Sequence, residues 1–117
     1  MQPTYLPWIG YFKMMQESDL FILLDDVQFD KRSFQQRNQI LINKKKNFLT
    51  VPVFSKGKFD QKINEVKIKN DLPWYQDHIK TIKMNYSKHN YFEEFFNVLE
   101  KIYIKKNNKL IDLNYDI

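Results

Sequence analysis

The side chains best suited to chemistry lie in one short stretch, between Asp25 and Asn38. Two adjacent carboxylates are followed by amide and basic groups, and the set is Asp25, Asp26, Gln28, Lys31, Arg32, Arg37 and Asn38. Carboxylates and amides hydrogen-bond to hydroxyl groups, and a guanidinium binds phosphate or carboxylate through two parallel hydrogen bonds. The stretch therefore predicts a site for a polyhydroxylated, anionic small molecule.

Arginine is scarce in this chain, because Arg32 and Arg37 are the only arginines among its 19 basic residues. Because lysine occupies almost every other basic position, the two arginines indicate that the planar, two-pronged guanidinium group is needed at these positions. We expect Arg37, together with Lys31 or Arg32, to hold an anionic group of the ligand. A structural ion pair with one of the neighbouring aspartates would explain the two arginines equally well.

The adjacent aspartates also raise the question of a metal site. Hard cations prefer oxygen ligands, but Asp25-Asp26 lacks the spacing of an Asp-x-Asp motif and no third ligand is identifiable. Side chains of an extended chain alternate between faces, so Asp26 and Gln28 would share one side and Asp25 and Val27 the other. We therefore expect no metal and can name no cofactor. Asp25 and Asp26 are the candidate catalytic residues, with separate roles.

The apolar run Leu20–Leu24 must position this stretch, because it ends directly before Asp25. An all-apolar run of this length is typical of a strand buried on both faces. Polar groups past the carboxyl end of such a strand lie where open α/β sheets bind their ligands. Residues 37–42 alternate and residues 48–53 form a second apolar segment, which together predict a β-hairpin with a five-residue loop.

Helical spacing of apolar residues predicts most of the remaining elements. The pattern indicates helices over residues 8–17, 73–86 and 92–103, an exposed strand over 63–69, and a helix or strand over 110–117. Gln2 and Tyr11 of the N-terminal segment are expected to reach the site and bind substrate. The fold class that follows is α/β: a central, mostly buried sheet with a β-hairpin, followed by amphipathic helices packed on it.

Composition narrows the class of protein. A hydrophobic content of 43% argues against disorder, and the lack of cysteine excludes disulfides, thiolate zinc sites and cysteine nucleophiles. No apolar run approaches the ~20 residues that span a bilayer, and no signal peptide is evident, so we expect a single cytoplasmic domain. The net charge of +5 suggests nucleic acid, but the lysines are spread evenly, which predicts no nucleic-acid partner.

Three blocks of the sequence resemble the WbqC-like family. They are Gln2-Pro3-x-Tyr5-Leu6-Pro7-Trp8-Ile9-Gly10-Tyr11-Phe12, Leu24-Asp25-Asp26-Val27-Gln28-Phe29 and Ser33-Phe34-Gln35-x-Arg37-Asn38. A weaker likeness runs through residues 49–53, Trp74-x-x-x-His78, Asn85-Tyr86 and Tyr91-Phe92. The resemblance thus covers essentially the whole chain.

The resemblance implies a role in bacterial lipopolysaccharide (O-antigen) or other surface-polysaccharide biosynthesis, as a transferase acting on a nucleotide-linked or carrier-linked sugar. It also implies that residues 1–117 are the N-terminal part of a longer domain, because family members begin upstream, with a histidine where Met1 stands here, and continue past Ile117. Two alternatives stay open: a non-catalytic sugar- or nucleotide-binding accessory module, and a nucleic-acid-binding domain.

Overall fold

The fold is a β-hairpin flanked by four helices. The computed structural model describes all 117 residues. In chain order the elements are α1 (Ile9–Glu17), β1 (Arg37–Ile42), β2 (Lys45–Thr50), a 3-10 turn (Ile63–Glu65), α2 (Trp74–Tyr86), α3 (Phe92–Ile104) and α4 (Leu110–Asp116). The predicted α/β class is confirmed. None of the helices combines the length and the apolar character that crossing a membrane requires.

The hairpin is confirmed, but its turn is tighter than the sequence predicts. β1 and β2 pair antiparallel from Arg37 opposite Thr50 to Ile42 opposite Lys45. Asn43 and Lys44 alone connect them, with φ of 50° and 64°. Two consecutive residues with positive φ form the type of turn whose twist matches the strands, and asparagine tolerates that conformation. Lys45 and Lys46, which the sequence places in a five-residue loop, therefore begin the second strand.

The strand predicted for Leu20–Leu24 is wrong, because this segment forms no helix or strand. Its only backbone hydrogen bonds join it to Met1, whose amino group donates to the Ile22 carbonyl and whose carbonyl accepts from the Leu24 amide. A strand is stable only when neighbouring strands satisfy its backbone groups, and here no second strand lies alongside. The segment is correspondingly exposed.

The hydrophobic core lies between the chain that follows β2 and the three C-terminal helices. Burial on α3 follows the predicted helical spacing and includes Phe92, Phe96, Leu99, Ile102 and Tyr103. α4 packs on the 3-10 turn, and the Leu110 amide donates to the Val66 carbonyl at 3.0 Å. Residues 63–69 were expected to form a strand and instead form this turn followed by single bridges from Lys67 and Ile68.

Candidate functional site

Two buried glutamines shape the loop of residues 25–36, which carries five of the nine predicted site residues. Gln35 accepts a hydrogen bond from the Asp30 amide at 2.8 Å, and Gln36 accepts one from the Arg32 amide at 3.0 Å. Both side chains are almost fully buried. These buried side-chain amides satisfy the backbone amides of a turn in which Arg32 has a φ of 66°. Lys31 and Arg32 are exposed on its outer side.

The N-terminal segment, this loop and α4 meet at an amide cluster formed by Gln2, Gln35 and Asn114. The Gln35 amide donates to the Gln2 side-chain oxygen at 3.0 Å, and the Asn114 amide donates to the Gln35 carbonyl at 2.9 Å. The Tyr11 hydroxyl donates to the Gln2 carbonyl at 3.3 Å. The Asn114 side-chain oxygen is buried and accepts no hydrogen bond from the protein. Leaving such a buried acceptor without a hydrogen-bond partner costs free energy.

The two adjacent aspartates occupy different environments, as the face alternation predicts. Asp25 is half-buried and accepts a hydrogen bond from the Tyr115 hydroxyl at 3.0 Å. Burial, and next the Asp25 carboxylate, raise the pKa of Tyr115 above its ordinary value. Asp26 is exposed, and its carboxylate makes no hydrogen bond or ion pair within the chain. Asp25 is thus fixed by α4, whereas Asp26 is free to contact a ligand.

Arg37 and Asn38 do not join this cluster. Asn38 uses its side-chain amide to hold the N-terminal segment, donating to the carbonyls of Tyr5 at 3.2 Å and Leu6 at 2.6 Å. The Arg37 guanidinium stacks on the Phe48 ring, 4.0 Å from its centre. Neither arginine of the chain forms an ion pair, so a structural salt bridge does not explain why they are present.

Gln28 is also engaged with the protein. Its side chain donates to the Phe59 carbonyl at 3.0 Å, and its backbone bridges to Lys62. The structure therefore brings Gln2, Tyr11 and Asp25 together, with the asparagine and tyrosine of α4 beside them, and keeps Arg37 and Asn38 apart from them. No group of three or more His, Asp or Glu side chains is arranged to hold a metal ion.

An aromatic groove of about 530 Å³ opens beside α1, which contributes Phe12 to its lining. Its walls combine rings with amide and imidazole groups, and the lining includes Trp8, Phe12, Asn38, Gln39, Tyr86, His89, Asn90, Tyr91 and Phe95. No lysine, arginine, aspartate or glutamate contributes to them. Trp8 lies so close over Gly10 that a Cβ at that position would overlap its ring. This close approach explains the glycine inside α1, which otherwise weakens a helix.

His78 is a packing and hydrogen-bonding residue of the core. Its Nδ1 is 2.7 Å from the Tyr5 hydroxyl, which is also hydrogen-bonded to Tyr103, and Trp74 packs edge-on against the imidazole. Burial lowers the pKa of His78 to about 4, although a hydrogen bond with the Thr50 backbone partly opposes this change. The ring is therefore neutral at pH 7 and anchors α2 to the N-terminal segment.

Gln35, Asn114 and Tyr115 are the residues of this region that sequence reasoning missed. Gln35 stands within the third motif block, which was a usable signal, whereas nothing in residues 110–117 distinguishes Asn114 or Tyr115 from ordinary helix surface. Their importance arises because α4 packs against a loop that lies about ninety residues away in sequence, as the separation of 90 between Tyr115 and Asp25 shows.

The comparison with protein families and the comparison with individual proteins both match nearly the full length of the chain. Residues 2–117 match the WbqC-like protein family. An uncharacterized protein of Mycobacterium tuberculosis is 36% identical over 113 residues, which cover 97% of this chain and 48% of that relative. The chain thus spans about half the length of the relative it matches. No solved structure matches the chain. With the family match extending from Gln2 to Ile117, the chain belongs to the WbqC-like protein family.

Proposed function

We propose that this chain binds the sugar portion of a nucleotide-linked or carrier-linked sugar, and that the whole WbqC-like protein transfers a group to or from that sugar during surface-polysaccharide biosynthesis. The observation that carries the proposal is the aromatic groove. Its volume of about 530 Å³ lies within the usual range for small-molecule sites. Aromatic walls with a few amide groups, and without charged side chains, suit an uncharged polyhydroxylated ring.

A pyranose presents two kinds of surface to a binding site. Its C–H faces are apolar and pack against aromatic rings such as Trp8 and Phe95, whose π faces carry partial negative charge. Its hydroxyl rim needs hydrogen-bond partners, which Gln39, His89 and Asn90 can supply as donors and acceptors. Asn38, whose amide nitrogen is already engaged, contributes chiefly by fixing the groove wall formed by the N-terminal segment.

We propose that the loop of residues 25–36 supplies the charged groups that the groove lacks. Lys31 and Arg32 are exposed and are proposed to hold the phosphate of the substrate, with Arg37 as a third cation. We propose Gln2, Tyr11, Gln28 and Asn38 as further substrate-binding residues. Asp26 is proposed to take the proton of the acceptor hydroxyl as its oxygen bonds to the sugar carbon and the bond from that carbon to the phosphate breaks, so that the nucleotide or carrier phosphate leaves. Asp25, oriented by Tyr115, is proposed as the second catalytic carboxylate.

Ligand-induced thermal stabilisation tests the binding step directly. The chain is screened with UDP-, GDP- and dTDP-linked sugars, with the free nucleotides and with free monosaccharides. A ligand present at 100 times its Kd stabilises the folded state by about 2.7 kcal/mol, so specific binding raises the melting temperature measurably. We expect nucleotide sugars to stabilise the chain more than the matching free nucleotides, because the groove accommodates the sugar.

Three variants assign that binding to the proposed residues. Trp8→Ala removes a groove wall and Asp26→Ala removes the free carboxylate, whereas Met84→Ala changes an exposed apolar residue of α2 that lines no groove. We expect the first two to weaken binding at least tenfold and the third to leave it unchanged. Equal affinity in all three variants would place the site elsewhere.

Turnover separates the transferase from the two alternatives. The full-length mycobacterial relative is incubated with any sugar nucleotide that binds, and release of nucleotide is followed with and without candidate acceptors. Binding without turnover indicates the accessory module. Affinity for oligonucleotides that falls steeply with salt, and no affinity for sugars, indicates the nucleic-acid-binding domain instead.

A further inference from the structure

The segment Leu20–Leu24 has the backbone pattern of a β-strand that lacks its neighbours. The Met1 amino group donates to the Ile22 carbonyl at 2.9 Å, and the Leu24 amide donates to the Met1 carbonyl at 2.8 Å. Met1 is thus hydrogen-bonded to the residue before Leu23 and to the residue after it, which is the pattern of a bridge between two parallel strands. The backbone groups of Phe21 and Leu23, on the opposite edge, have no hydrogen-bond partner in the chain.

Side-chain exposure in this segment also follows the period of a strand. Phe21 and Leu23 are half-buried, whereas Leu20, Ile22 and Leu24 are 77%, 59% and 46% exposed. Alternation with a period of two is expected of an extended chain. The exposed side chains continue into a shallow depression lined by Met1, Met14, Leu20 and Ile22. An apolar stripe beside unpaired backbone groups is a template for pairing with another strand.

We propose that Leu20–Leu24 is a docking strand for a second, extended polypeptide segment, supplied by the half of a WbqC-like protein that this chain does not cover. The incoming strand pairs with the free backbone edge at Phe21 and Leu23, and the apolar side chains of that half cover Leu20, Ile22 and Leu24. This interaction is independent of the proposed sugar site, because none of these residues lines the aromatic groove.

The length of the matched relative favours this occupant over a second copy of the chain. That relative carries about as much polypeptide outside the matched region as within it, which is enough to supply a strand and the connection to it.

Co-expression tests the proposal. The 117-residue chain is produced together with the unmatched half of the mycobacterial relative, and complex formation is followed by size-exclusion chromatography with light scattering. Amide hydrogen exchange is then compared for the chain alone and in the complex. We expect a one-to-one complex in which exchange at Phe21 and Leu23 slows at least tenfold, because open backbone groups become hydrogen-bonded.

Matched lysine substitutions localise the contact. Ile22→Lys places a charge on the stripe, whereas Met84→Lys places one on α2 at a residue that is 73% exposed. Both are surface changes, so both chains should fold as the unmodified chain does. We expect Ile22→Lys to weaken the complex at least tenfold and Met84→Lys to leave it intact. The proposal is overturned by the absence of a complex, by a complex that Ile22→Lys does not weaken, or by a homodimer that protects the same amides.

Discussion

Lowering the pH from 7.5 to 5.5 is expected to destabilise the fold through one side chain, His78. Burial lowers its pKa from 6.5 to about 4. A depressed histidine pKa means that folding favours the neutral ring. The stabilising contribution is therefore complete above pH 6.5 and is lost as the pH falls toward 4. At about 1.4 kcal/mol per pH unit, the loss is about 1.3 kcal/mol at pH 5.5 and about 3 kcal/mol at pH 4.

Urea unfolding of the unmodified chain and of His78→Gln measures this effect. The variant is less stable at pH 7.5, because it loses the fit of the imidazole between Tyr5 and Trp74, but it has no group that must become charged. The informative quantity is the change in unfolding free energy between pH 7.5 and 5.5. We expect it to be about 1.3 kcal/mol smaller in His78→Gln than in the unmodified chain.

His89→Gln is the matched control, because His89 is exposed and should retain the pH dependence of the unmodified chain. The two tyrosines beside His78 do not titrate in this range, because burial raises the pKa values of Tyr5 and Tyr103 and both stay neutral. If His78→Gln and the unmodified chain lost equal stability between pH 7.5 and 5.5, a neutral buried histidine could not be the cause.

Three further substitutions test the packing. Asn38→Ala removes the donors to the carbonyls of Tyr5 and Leu6 and should cost about 1–3 kcal/mol of unfolding free energy, read from urea denaturation; no loss would show that water replaces both bonds. Leu110→Ala, at a fully buried position, should cost about 2–5 kcal/mol by the same assay, and a loss below about 1 kcal/mol would contradict the packing of α4. Lys44→Gly should stabilise the hairpin by about 1 kcal/mol, seen as a higher melting temperature, because glycine adopts a φ of 64° without strain.

Elements were predictable from the sequence where both the residue pattern and the backbone hydrogen bonds lie within one short segment. α3 is the clearest case, because its apolar residues repeat at helical spacing and its own backbone satisfies its hydrogen bonds. The hairpin was also found, although its turn was misjudged because Lys44 is an unusual residue for positive φ. Leu20–Leu24 was misassigned for the opposite reason: a strand depends on neighbours that its own residues do not specify, and here only Met1 pairs with it.

In the candidate site, too, the features with a local sequence signal were predictable and those that depend on distant segments were not. The separate environments of Asp25 and Asp26 follow from alternation along one short segment, which the sequence displays. The amide cluster depends on three segments meeting, and the sequence does not reveal that Asn114 of α4 would face Gln35. Glutamine and asparagine are usually exposed, so their burial here could be recognised only once their hydrogen-bond partners were known.

The position of α4 bears on how the chain folds during synthesis. Its seven residues make hydrogen bonds to partners far back in sequence, with separations of 79 between Asn114 and Gln35 and 90 between Tyr115 and Asp25. Contacts of such long range are slow to form, and a nascent chain cannot make these before α4 has been synthesised. The loop bearing Asp25 and Gln35 therefore stays without its α4 partners until translation has passed residue 115.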